Sequence, residues 1–73
     1  MKKLEISITD TLCKYIPLDD AIRIVQDLFE FGYENLEKLK YNIIDMVVDY
    51  TPEEKAKSIA EEVISNCEKL LKI

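Results

Sequence analysis

Seventy-three residues with a net charge of −5, nearly half of them apolar and a third charged, fit one small globular domain near the lower size at which a hydrophobic core alone holds a chain folded. The absence of histidine removes imidazole acid/base chemistry and the usual zinc sites, and the basic residues are scattered among carboxylates, without the clustered footprint that nucleic acid needs. The acidic balance also disfavours an anionic membrane surface, and no apolar run approaches the roughly 18 residues of a membrane span.

In chain order, Lys2 and Lys3 make a basic start, but Glu5, Ser7, Thr9 and Asp10 interrupt any export-signal hydrophobic region. Leu4, Ile6 and Ile8 alternate with Glu5, Ser7 and Thr9, the pattern of a short half-buried strand. Leu4, Ile8, Leu12 and Tyr15 share one helical face. The expectation is an extended or frayed stretch over residues 3–8, followed by a short helix from about Asp10 to Tyr15. Cys13 lies in that helix and Cys67 far along the chain, with no C-x-x-C spacing. Both read as small buried apolar residues in a reducing, cytoplasmic setting, with one disulfide between them as the alternative.

From Leu18 to Phe31 the apolar stripe is Leu18, Ala21, Ile22, Val25, Leu28 and Phe29, with Asp19, Asp20, Arg23, Gln26, Asp27 and Glu30 opposite, which is an amphipathic helix. Gly32 is placed to end it. Between Tyr33 and Tyr50, the residues Leu36, Leu39, Ile43, Met46 and Tyr50 step by three and four, while Ile44, Met46, Val48 and Tyr50 also alternate with Asp45 and Asp49. A hairpin would have to reverse at Tyr41-Asn42 with no glycine, so a helix from about Glu34 is the favoured reading. Thr51, Pro52 and Glu54 then read as a capping box with proline in the first turn. A last helix follows from Pro52 to about Leu71, burying Ala56, Ile59, Ala60, Val63, Cys67, Leu70 and Leu71.

Residues 1–31 laid over 36–66 match at Lys3/Lys38, Leu4/Leu39, Ile8/Ile43, Asp10/Asp45, Tyr15/Tyr50, Pro17/Pro52, Ala21/Ala56 and Ile24/Ile59. An internal duplication would make each half an apolar lead segment, a Tyr-x-Pro turn and an amphipathic helix, and neither half could cover its own apolar face. The expected fold is therefore a mostly helical, all-α bundle of two pseudo-repeated helical hairpins in one domain, with an α+β, βαββα sandwich as the alternative.

Chemistry-bearing patterns are few. Serines and threonines lack a base partner, Gly32 stands alone without a phosphate loop, and no stretch resembles a known family closely enough to carry a function. Asp45 with Asp49, and Asp19, Asp20 and Asp27, are the carboxylates from which a divalent-cation site could be imagined, but they read as a solvated face. No enzyme, cofactor or metal is expected. The sharper feature is an acidic surface: Asp19, Asp20, Asp27, Glu30, Glu34 and Glu37 against Arg23 alone, with Phe31 and Tyr33 flanking Gly32 at its edge. Such a surface suits a basic protein partner, in its strongest form a nucleic-acid-binding protein met by a charge mimic. The function expected is a small adaptor, inhibitor or regulatory subunit that binds protein, with self-association to homo-oligomers as a way to cover a marginal core. The alternative is an accessory subunit of a larger enzyme that docks through an apolar face.

Overall fold

A computed structural model describes residues 3–31 and 35–71, with the backbone alone for Phe31. Four α-helices make up this part of the chain: α1 Lys3–Leu12, α2 Leu18–Phe31, α3 Leu36–Val47 and α4 Glu53–Leu71. Among the described residues there is no strand, so the βαββα alternative does not hold.

The N-terminal segment is where the expectation fails first, because α1 is helical from Lys3 onward rather than extended over residues 3–8. Its threonines favour strands, yet each returns its hydroxyl to a carbonyl one turn back, Thr9 to Glu5 at 2.8 Å and Thr11 to Ser7 at 3.0 Å. The helical spacing of Ile8 and Leu12, both fully buried, outweighs the alternation, and Ile6 is left 46% exposed.

In α3, Leu39, Ile43 and Val47 are all fully buried at steps of four, the spacing that puts them on one face. The helix begins at Leu36 rather than Glu34, because Asn35 caps it: its backbone is extended and its side-chain oxygen accepts the Lys38 N–H at 2.9 Å. It ends at Val47, so Tyr50 leaves the buried stripe and is exposed.

The two hairpin connections, residues 13–17 and 48–52, are bonded alike. The N–H groups of Cys13, Tyr15 and Ile16 donate to the carbonyls of Thr9, Leu12 and Leu12; those of Val48, Tyr50 and Thr51 donate to Ile44, Val47 and Val47. The Pro17 carbonyl accepts from Ala21 and the Pro52 carbonyl from Ala56, each at 2.9 Å. Each proline thus immediately precedes its helix, where its missing N–H costs nothing. The capping box at Thr51 does not form, since its hydroxyl lies toward the carbonyls of Val47 and Pro52 at 3.5 and 3.3 Å instead of receiving a helix N–H.

Helix α1 packs on α2 and α4, and α3 packs on the same two, so the helices close around one core. Ile8, Leu12, Ala21 and Leu28 meet there with Ile43, Val47, Ala56 and Val63. Each fully buried leucine, isoleucine or valine contributes about 1.5–3 kcal/mol relative to exposure. Leu18 and Leu71, expected inside, lie at helix ends and are more than half exposed. Cys67 is buried as expected, but Cys13 is exposed; both are free thiols. Burial raises the pKa of Cys67.

Candidate functional site

Helix α2 carries the acidic surface. Its 14 residues place Ala21, Ile24, Val25 and Leu28 in the core, and the 3.6-residue period then sends Asp19, Asp20, Arg23, Gln26, Asp27 and Glu30 to the opposite arc. Asp19 and Asp20 occupy the first turn, where a helix's N-terminal dipole favours negative charge. Asp20 accepts a bond from the Arg23 guanidinium at 2.6 Å, and the same Nη2 reaches the Tyr50 hydroxyl at 3.5 Å. The Arg23 pKa is raised by the Tyr50 hydroxyl first, then by the charge of Asp20, with Asp27 adding to it. The one cation of this helix is therefore already engaged inside the acidic surface.

Comparison of the two hairpins shows what is unusual here. Beside the first connection, the Tyr15 hydroxyl donates to Glu62 Oε1 at 2.6 Å and Lys14 Nζ to Oε2 at 3.0 Å. Lys55 stands 4.9 Å from the centre of the Tyr15 ring, a cation–π distance. Glu62 is held below its ordinary pKa by the Tyr15 hydrogen bond and then by Lys14, while Lys14 and Tyr15 are raised mainly by their hydrogen bonds to Glu62. This corner sets two lysines against one carboxylate.

The same positions 35 residues away read differently. Tyr50 corresponds to Tyr15, but Asp49 stands for Lys14, Asp20 for Lys55 and Asp27 for Glu62. Both lysines of the first corner have become aspartates in the second, and only Arg23 offsets them. On the named residues the first corner thus carries two lysines and one glutamate and the second three aspartates and one arginine, with Tyr50 41% exposed.

Of the residues read as a site, Asp19, Asp20, Asp27 and Glu30 are on this arc, and Glu37 is exposed in the first turn of α3. Tyr33 and Glu34 lie outside the described residues, as does the side chain of Phe31. Sequence reasoning missed Tyr50 and Asp49. The signal was present in the alignment of the halves, where the Lys-to-Asp exchanges fall on either side of the matched tyrosines.

Among the described residues no group of three or more cysteines, aspartates and glutamates is placed to hold a metal ion, and no helix is long and apolar enough to cross a membrane. Every buried side-chain oxygen and nitrogen among them has a hydrogen-bond partner. Buried Thr11, for instance, also accepts from the Asn66 amide at 3.0 Å. No family model, no curated protein and no solved structure matches this chain.

Proposed function

We propose that the chain is a small, non-enzymatic protein-binding module, an adaptor, inhibitor or regulatory subunit, that presents the acidic arc of α2 and the Tyr50 corner to a basic partner. The observation that carries this reading is the contrast between the two corners: the first sets Lys14 and Lys55 about Tyr15 and Glu62, whereas in the second Arg23 joins Asp20 to the exposed Tyr50, Asp27 acts on the same guanidinium, and Asp49 precedes Tyr50 in the chain. A charge arrangement needed only for solubility has no reason to concentrate on one of two equivalent positions. Tyrosine in a charged rim supplies the apolar contact from which such interfaces gain affinity, while the carboxylates speed encounter. The strongest form of the proposal is a protein that covers the nucleic-acid site of its partner. Its setting would be the reducing cytoplasm, consistent with two free thiols.

The test is capture of partners from the native lysate with the wild type and with an Asp20→Lys/Asp27→Lys variant, followed by affinity measurements against salt. The expected result is a basic partner lost by the variant, with wild-type affinity falling steeply as salt rises. A partner retained by the variant and insensitive to salt would overturn the acidic reading. It would favour an accessory subunit docking through apolar residues such as Leu18 and Leu71.

A further inference from the structure

Helix α1 turns a second, chemically different stripe outward. Lys3, Ile6 and Asp10 follow one another at steps of three and four, and all three are exposed. Ile6 keeps 46% of its surface in the middle of a polar helix face, with a cation one turn before it and an anion one turn after. Among the described residues neither Lys3 nor Asp10 takes part in an ion pair, whereas the nearby Lys14 is bonded to Glu62. A groove of about 350 Å³ opens alongside, between α1 and α4, with Ile6, Ser7, Asp10 and Asn66 in its walls.

The order cation, aliphatic, anion is complementary to itself when reversed. We propose that this face binds a second copy of the chain, with the two α1 helices antiparallel about a two-fold axis passing between residues 6 and 7. Lys3 then lies opposite Asp10 of the second copy, Asp10 lies opposite its Lys3, and the two Ile6 side chains meet beside the axis. A two-fold contact needs such a self-complementary patch. A parallel arrangement would set like charges together, which is unfavourable.

The same order recurs 35 residues later as Lys38, Tyr41 and Asp45. There, however, Lys38 is already engaged within its own chain, so α1 is the contact. The inference is independent of the acidic arc, which lies on another helix. A ten-residue helix makes a small interface, so the association is of the weak, reversible kind.

The experiment is sedimentation velocity over a concentration series, with circular dichroism to verify that each exposed-site variant is as helical as the wild type. The wild type is expected to dimerise below about 1 mM, and Lys3→Glu and Asp10→Lys each to weaken dimerisation about tenfold or more. An equimolar mixture of those two variants should recover it, because both ion pairs across the mixed dimer are again between opposite charges. A wild type monomeric up to about 1 mM, a mixture no better than its components, or a dimer untouched by Ile6→Asp would each overturn the proposal. So would a dimer that Tyr41→Asp abolishes and Ile6→Asp spares, which would move the contact to α3.

Discussion

Substitution of Ile43 and of Tyr41 by alanine separates a helix from a strand in the segment where the sequence is ambiguous. Residues two apart point to opposite sides of a helix and to the same side of a strand. In α3, Ile43 is fully buried while Tyr41 is 58% exposed. Truncating a fully buried isoleucine costs about 2–5 kcal/mol, the lost transfer free energy plus the cavity left behind. A chain of this length has a total stability of about 4–11 kcal/mol at the usual value per residue, so Ile43→Ala removes a large part of it. For a loss of about 3 kcal/mol the melting temperature should fall by about 12–24 °C. Tyr41→Ala should stay within about 0.5 kcal/mol, or a few degrees. Thermal melts followed by circular dichroism at 222 nm and urea titrations read both. Two variants that destabilise alike would refute the helical register, and an Ile43→Ala protein melting within a few degrees of wild type would refute the core built on it.

The other predictions concern single contacts. Asn35→Ala removes the cap that receives the Lys38 N–H and should cost about 1 kcal/mol in urea unfolding; no change would mean that the cap is not formed in solution. Because the folded protein holds Glu62 below its ordinary pKa, chiefly through Tyr15 and then Lys14, its charge stabilises the fold above the unfolded value. That contribution disappears as pH falls through the folded value. The melting-temperature gap between wild type and Glu62→Gln should therefore be widest near neutral pH and close in acid; a gap constant down to about pH 3 contradicts this. A thiol reagent such as Ellman's should modify exposed Cys13 rapidly and buried Cys67 only after denaturant is added, so rapid reaction of both in the native protein would mean that the core opens around α4.

Much of this bundle is written in spacing. The stripes of α2 and α4 are long enough for the helical period to exceed any alternation, and the shared Tyr-x-Pro segments place the two hairpin connections 35 residues apart. What misleads is short range. Leu4, Ile6 and Ile8 alternate like a strand because Ile6 is apolar on an outward face, and its exposure comes from where α2 and α4 pack, which no local window contains. Thr51 has the residue type of a cap but sits one position too early, because Pro52 already supplies the carbonyl that starts α4. The acidic surface was legible as composition on α2. Its focus at Tyr50 was not, because Arg23 and Tyr50 are 27 residues apart and meet only once α2 packs on α3.

The likeness of the two connections bears on how the chain could be cut and rejoined. Each hairpin, residues 3–31 or 36–71, brings one open flank that the other closes, and the core residues come from both in comparable measure. Severing the backbone between Phe31 and Asn35 leaves two peptides with the same plan, which should reassemble by complementation when mixed, while either alone stays largely unfolded by circular dichroism. A circular permutant that starts at Asn35 should for the same reason keep the native melting profile, since the order in which the halves are synthesised is not what makes them fit.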